Sequence, residues 1–126
     1  MKDLVYILGT VFHSFFWNNF KIGFKELISS VRHRLKHTKG YRAISLNIQY
    51  GYNSSTEFEP EEASSFLDSC SVEMVALQES FSCSSIDLNK ELIKNSDSLK
   101  YYAFHGFETI DDVEYGNGVL SSYPIL

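Results

Sequence analysis

The chain has 126 residues and a net charge of −5, with 44% hydrophobic and 15% aromatic residues. This length predicts one domain, and the composition excludes an intrinsically disordered chain. The charge is uneven: residues 1–40 carry seven basic and two acidic side chains, a net of +5, whereas residues 41–126 carry four basic and fourteen acidic ones, a net of −10. We therefore distinguish a basic arm (residues 1–40) from an acidic body (residues 41–126) and expect the two to meet different surroundings.

The cysteine count excludes a cysteine-based metal cluster. Cys70 and Cys83 are the two cysteines of the sequence, and they form no C-x-x-C pair. We expect two reduced, buried thiols rather than one disulfide, because cysteine without a partner usually packs as a small apolar residue.

The arm combines an apolar segment with a basic amphipathic one. Residues 4–20 are mostly apolar but slightly short of the roughly 20 residues that a membrane-spanning helix needs, and no signal-peptidase-like site follows them. From residue 20 to residue 36, apolar residues recur at helical spacing and basic residues occupy the other positions. This pattern favours a helical arm that binds an anionic membrane surface through residues 4–37. A helix packed on its own domain and an uncleaved signal are the alternatives, and membrane association is favoured over a soluble cytoplasmic location.

The first half of the body predicts a strand, a helix and a second strand. Apolar and polar residues alternate over Ala43–Ile48, as in a strand, and a loop follows over residues 49–55. Pro60 and the two acidic residues after it predict the start of a helix over 60–69 that buries Ala63, Phe66 and Leu67. The apolar run Val72–Leu77 predicts a central strand covered on both faces.

The second half of the body predicts a helix and two further strands. We expect a helix over residues 86–95 with Ser84 or Ser85 as its N-cap. Leu99–Phe104 is strand-like, the acidic residues 108–114 are interpreted as a loop, and Gly118–Ser121 begins another strand. Helices that alternate with strands in this way are typical of an α/β sandwich.

Two polar residues stand where predicted strands end. Asn47 lies at the end of the first strand of the body, and Glu79 directly follows the second. If these strands are parallel neighbours joined by the 60–69 helix, Asn47 and Glu79 emerge close together at the edge where α/β proteins bind ligands. A carboxylate beside an amide oxygen is suited to Mg²⁺. The alternative is that Glu79 is a solvated acid and Asn47 a turn former.

Three segments of the body carry a resemblance to a known family. They are LNIQYG (residues 46–51), VALQE (residues 75–79) and YGNGVLSSYPI (residues 115–125). In order and in spacing they resemble the motifs of the endonuclease/exonuclease/phosphatase superfamily. The resemblance covers residues 41–126 and implies part of a four-layer α/β sandwich, here one sheet with flanking helices, preceded by the helical arm.

The resemblance also implies a chemistry. Glu79 matches the acidic ligand of a catalytic Mg²⁺ (or Mn²⁺), and Asn47 matches the asparagine that helps to orient the metal and the substrate phosphate. Gln49 stands where some DNA-repair relatives carry an acidic residue. We interpret Asn117 as a turn residue between two glycines, and His105 as a loop or strand-end residue that matches no catalytic histidine of the family.

The family's general base, its Asp-x-Asn pair and its late histidine match nothing within the 126 residues. We therefore expect the chain to correspond to the N-terminal half of a metal-dependent phosphoesterase and to be inactive alone. The charge of the body disfavours nucleic acid as substrate, and the arm favours a lipid or phosphoinositide head group. A nuclease of the same superfamily and a catalytically inactive interaction protein are the alternatives.

Overall fold

The computed structural model describes residues 5–8, 40–52 and 57–126. Five strands form one mixed sheet in the order β1-β2-β3-β5-β4. The strands are β1 (Val5–Leu8), β2 (Arg42–Asn47), β3 (Met74–Ser82), β4 (Tyr101–Ile110) and β5 (Val113–Ser121), and the helices are α1 (Pro60–Cys70) and α2 (Leu88–Lys94). The predicted α/β class is confirmed.

The parallel half of the sheet is a β-α-β unit. β2 pairs in parallel with β3, and α1 connects them, as predicted from the sequence. β1 pairs in parallel with the other edge of β2, so Val5–Leu8 is a strand where we predicted part of a helical arm. The basic segment 20–36 and most of the predicted membrane anchor lie outside the described residues. Within the described ranges, no helix is long and apolar enough to cross a membrane.

Each helix begins for a local reason. α1 starts at Pro60, which needs no hydrogen-bond acceptor for its nitrogen, and Glu61 and Glu62 occupy the first turn beside the positive end of the helix dipole. The N-cap of α2 is Asp87 rather than the predicted Ser84 or Ser85. Its carboxylate accepts a hydrogen bond from the backbone N–H of Lys90 at 3.2 Å, which satisfies one of the N–H groups left open at a helix start.

The hydrophobic core lies between the helices and one face of the sheet. Leu67 of α1, Leu88 and Leu92 of α2, and Val75 and Leu77 of β3 are fully or almost fully buried within a single cluster. Cys70 is buried beside them, but Cys83 is only partly buried, so the prediction of two buried thiols is wrong for Cys83; the two cysteines form no disulfide.

The other face of the sheet is open, which corrects the prediction that β3 is covered on both faces. Met74 is 37% exposed and Ala76 is exposed, although Val75 and Leu77 between them are buried. On β5 the same alternation leaves Val119 41% exposed beside the buried Leu120. Among the described residues both helices therefore pack on one face, and the exposed Met74, Ala76 and Val119 lie on the opposite one.

The predicted acidic loop is a hairpin. β4 extends to Ile110, β5 begins at Val113, and the two residues between them form the turn. Asp111 and Asp112 have φ angles of +48° and +65°. Positive φ at both central positions defines the type I′ turn, whose twist matches antiparallel strands. Aspartate tolerates this region because its short side chain bonds locally.

One carboxylate organises the loop between α2 and β4. Asp68 of α1 accepts hydrogen bonds from the hydroxyls of Ser96 (2.7 Å) and Ser98 (2.6 Å) and from the backbone N–H of Asp97 (2.8 Å) and Ser98 (3.2 Å). Burial acts to raise the pKa of Asp68, but these hydrogen bonds outweigh it and hold the pKa below its ordinary value.

We predict that Asp68→Asn lowers the free energy of unfolding by about 1–2 kcal/mol at pH 7. The lowered pKa means that the stabilisation is present above pH ~4 and is lost as the pH falls through the folded-state pKa. Urea unfolding at pH 7 and at pH values stepped down below 4 therefore gives a difference from wild type that is largest at pH 7 and shrinks as the pH falls. Asp97→Asn is the matched control, with an effect within about 0.5 kcal/mol. An equal loss at every pH would contradict the assignment.

Candidate metal and phosphate site

Asn47 is the last residue of β2, whereas Glu79 lies within β3, one residue past the point where β3 stops pairing with β2, and not directly after the strand as predicted. Asn47 is the register partner of Gln78, the residue before Glu79. The pairing continues one step further, since the N–H of Ile48 donates to the carbonyl oxygen of Gln78 at 3.0 Å. Adjacent strands are separated by about 4.8 Å, so the two predicted site residues are close neighbours at this edge.

The side chain of Asn47 shapes the loop that follows β2. Its Oδ1 accepts a hydrogen bond from the backbone N–H of Gln49 at 3.0 Å, an Asx turn. Asn47 is thus a turn former, which is the alternative interpretation given in the sequence analysis. The hydrogen bond to Gln49 uses one lone pair of Oδ1 and leaves the second for a ligand. Gln49, Tyr50 and Gly51 then follow with φ angles of +48°, +57° and +77°.

Glu79 occupies a β-bulge in β3. Leu77 pairs with Gly118 and Ser80 pairs with Gly116, so Gln78 and Glu79 together face the single residue Asn117. Glu79 has a φ of +54°, in the left-handed region that costs a residue other than glycine about 1–2 kcal/mol. Strained backbone at Gln49, Tyr50 and Glu79 therefore lies where β2 ends and its pairing with β3 stops, as is common at functional sites.

A buried polar pair holds β3 in place directly after the bulge. The hydroxyl of Ser80 donates to Oδ1 of Asn89 at 3.0 Å, and Nδ2 of Asn89 donates to Asp87 at 3.2 Å. Both Ser80 and Asn89 are fully buried. A Cβ atom on Gly118 would lie 2.1 Å from Oδ1 of Asn89, so glycine is required to admit this side chain beneath the sheet. Sequence reasoning missed Asn89, which no local pattern distinguishes from a solvated helical residue.

The remaining predicted residues lie within the antiparallel strands. Asn117 is an exposed residue of β5, not a turn residue, and faces the bulge on β3. Its neighbour Gly116 is required because a Cβ there would lie 2.0 Å from the carbonyl oxygen of His105. His105 lies in the middle of β4, opposite Asn117, and not in a loop or at a strand end. The glycines around Asn117 thus reflect close strand packing rather than a turn.

Tyr50 connects this edge of the sheet to the β4–β5 hairpin. Its ring packs against Tyr115 with a centroid separation of 5.3 Å and an interplanar angle of 85°. Burial, together with the charges of Glu79, Tyr115 and Glu108, raises the pKa of the Tyr50 hydroxyl. The phenol therefore remains protonated at neutral pH and lies within the electrostatic reach of the Glu79 carboxylate.

The donor set fits Mg²⁺ only as a partial site. Glu79 and Asn47 supply one carboxylate and one amide oxygen, and Glu79 is only partly buried, so a solvated ion can reach it. Mg²⁺ commonly binds through one or two carboxylates, retained waters and substrate phosphate. Within the described part of the chain, no three His, Cys, Asp or Glu residues group around a common point.

Comparisons with known proteins give one likeness. Neither the family scan nor the search of curated proteins finds a match. Among solved structures, the chain is similar to an endonuclease/exonuclease/phosphatase family protein from Leptotrichia buccalis C-1013-b, with 14% identity and a TM-score of 0.46. The match covers 67% of this chain and 38% of that protein. A likeness of this size does not by itself define an activity.

We predict that Glu79→Gly is more stable than Glu79→Ala by about 1 kcal/mol, because glycine relieves the left-handed conformation and alanine does not. Thermal unfolding of the two variants measures the difference. The matched control is Gln78→Gly against Gln78→Ala at the neighbouring position, where φ is not positive and glycine is expected to be the less stable. Equal stabilities at position 79 would show that the bulge does not strain Glu79.

Proposed function

We propose that the chain supplies the metal-binding edge of a divalent-metal-dependent phosphoester hydrolase of the endonuclease/exonuclease/phosphatase type. The supporting observation is the β2–β3 register, which brings Asn47 beside a strained bulge that carries Glu79. Glycine would adopt the left-handed conformation at position 79 at a lower free-energy cost than glutamate. The presence of glutamate there indicates that its carboxylate has a function, because the fold alone would favour glycine. The ordered motifs of the sequence point to the same chemistry.

The two residues have different roles in this proposal. Glu79 contributes a carboxylate ligand to the metal ion, and Asn47 holds the loop in position through its hydrogen bond to the N–H of Gln49. In this proposal the second lone pair of Asn47 Oδ1 is a further metal ligand. When bound, Mg²⁺ (or Mn²⁺) would neutralise charge on a non-bridging phosphate oxygen. A carboxylate that binds a cation cannot also act as the general base. The base, and the donors that stabilise the charge growing at phosphorus, must therefore come from other residues.

We infer that the substrate is a small phosphoester, with a lipid or phosphoinositide head group favoured over nucleic acid. Nucleic-acid affinity depends on basic side chains that neutralise phosphates, and residues 41–126 carry a net charge of −10. The basic arm suits an anionic membrane surface. A nuclease and an inactive interaction protein are the competing functions. Mn²⁺ binding at Glu79 argues against the inactive protein, and binding to anionic vesicles favours a lipid substrate over nucleic acid.

We predict that the 126-residue chain binds Mn²⁺ weakly through this edge and shows no measurable phosphodiesterase activity. In ¹H–¹⁵N spectra, paramagnetic broadening should begin at the amides of Gln78–Ser80 and Asn47–Gln49. Glu79→Gln should abolish the local broadening, because it removes the charged ligand. Glu62→Gln, an equal charge change on exposed α1 surface, should leave it intact. Broadening that is unchanged by Glu79→Gln would overturn the metal assignment, and robust hydrolysis by this chain would overturn its predicted inactivity.

We predict that the chain sediments with anionic vesicles, such as phosphatidylserine in phosphatidylcholine, and is released by high salt. The basic residues of the arm should supply about 1 kcal/mol each near the surface. Charge reversal at Lys21, Lys25 and Arg32 should abolish sedimentation. The same reversal at Lys90, Lys94 and Lys100 in the body is the control and should have little effect. Binding that is absent, or insensitive to the arm variant, would remove the proposed membrane role.

A further inference from the structure

A groove of about 370 Å³ lies beside the Asn47–Glu79 edge, between the loop after β2 and the hairpin of β4 and β5. We call it the aromatic groove, because five of the side chains that line it are aromatic: Tyr50, Tyr52, Phe81, Phe107 and Tyr115. Glu108 is the charged residue among its lining residues, and Ile110 and Val113 close its far end. Tyr50 and Tyr115 belong to the sequence motifs, but the proposed metal site does not account for this surface.

Strand register builds the floor of the groove. Phe81 of β3 pairs with Tyr115 of β5, which pairs with Glu108 of β4, so these three side chains form one row across the sheet. A second row, Val113 with Ile110, follows at the end of the hairpin. Directly opposite residues of antiparallel strands project to the same face, so both rows share a surface.

The aromatic walls form a corner rather than a slot. The rings of Tyr50 and Tyr115 meet at 85°, with centroids 5.3 Å apart. A flat ligand such as a nucleobase is held best by parallel stacking surfaces. A compact cation is instead attracted by the negative faces of several rings that surround it from different directions. Phe107, displaced by the irregularity in register between Gly106 and Glu108, is 67% exposed and supplies a further ring at the rim.

The charge around the groove also selects a cation. Glu108 lies within it, and the described residues that line it include no lysine or arginine. The adjoining turn and the first residues of β5 add Asp111, Asp112 and Glu114. A phosphate or another anion would be repelled from this end, whereas an organic cation gains both the carboxylates and the aromatic faces.

We propose that the aromatic groove binds the quaternary ammonium head group of a choline-bearing phosphoester, with the phosphate directed toward Glu79 and Asn47. The volume is near the small end of ligand pockets and suits a head group rather than an acyl chain or an oligonucleotide. The groove adjoins the metal-binding edge, because two of its lining residues closely follow the site residues in the chain: Phe81 follows Glu79 by two residues in β3, and Tyr50 follows Asn47 by three. The assignment of the phosphate end rests on the proposed function, whereas the recognition of the cation does not.

The test is a metal-free titration of the 126-residue chain with choline and with 3,3-dimethyl-1-butanol, its neutral carbon isostere. The amide and aromatic signals of the groove residues report binding by NMR. Cation–π attraction predicts that choline binds roughly fivefold tighter than the isostere. Equal affinities, absence of binding, or preferential binding of cytidine or adenosine monophosphate would each overturn the proposal.

Matched variants localise the effect. Tyr115→Leu removes a ring face and should weaken choline binding about fivefold or more, whereas Tyr115→Phe keeps the ring and should retain it. Glu108→Gln should weaken binding severalfold. Tyr101→Leu, an exposed tyrosine at the other end of β4, and Glu62→Gln, on the exposed surface of α1, are the controls. Equal effects of groove and control variants would overturn the proposal.

Failure here and failure of the proposed function are distinguishable. Choline binding is measured by NMR titration in the absence of metal. Metal binding is measured by Mn²⁺ broadening in the absence of choline. If both sites serve one substrate, Mg²⁺ should tighten phosphocholine binding without changing choline binding. Mg²⁺ that leaves both affinities unchanged would overturn the placement of the phosphate at Glu79.

Discussion

The parallel pairing of β2 with β3 is the constraint on which the rest of this structure depends. It is fixed by the burial of Leu46, Val75 and Leu77, since a slip of one residue would move these side chains to the open face. This register places Asn47 beside Gln78. The geometry of the edge is therefore a consequence of core packing, and its side chains need not stabilise the fold.

The bulge at Glu79 persists because its surroundings hold the strand on both sides. Before it, Gln78 is paired with β2 and its side chain donates to the hydroxyl of Ser45 at 3.0 Å. After it, Ser80 is bound to the buried Asn89. Because a buried hydroxyl without its partner would cost about 1–3 kcal/mol, this pair resists any shift that would smooth the bulge. The strain at Glu79 is thus offset by contacts that have no chemical role of their own.

The sequence predicted those features that depend on periodicity and on neighbouring residues. The β2-α1-β3 unit, the start of α1 at Pro60 and the adjacency of Asn47 to Glu79 follow from local patterns and from the rule that parallel strands share one edge. The wrong predictions concern features that the tertiary structure determines, such as which face of a strand is covered. Alternation could not show that Met74 and Ala76 face an open surface, because an apolar run is equally consistent with burial on both faces.

The hairpin and the groove were missed for a different reason. Asp111 and Asp112 belong to an acidic run that is typical of a loop, and only their paired positive φ angles identify a type I′ turn. Once that turn is formed, β4 and β5 extend by several residues beyond their predicted ends. His105, Asn117 and Glu108 then become strand residues with defined partners. No linear pattern could bring Phe81, Tyr115 and Glu108 into one row, because three separate strands contribute them.

The metal-binding edge at Glu79 and the aromatic groove favour opposite charges on the substrate: the first, with its metal, favours a phosphate, and the second favours a cation. Together they favour a zwitterionic substrate. Glu79 binds a phosphate only if a divalent cation lies between them, because the two bare anions repel. The groove, with Glu108 and its aromatic faces, has no such requirement and attracts positive charge directly. A ligand with phosphate at one end and a quaternary ammonium at the other satisfies both demands. A polyanion, including a phosphoinositide head group, satisfies only the first demand and meets the net charge of −10 on residues 41–126. The groove therefore narrows the proposed lipid head group to a choline ester.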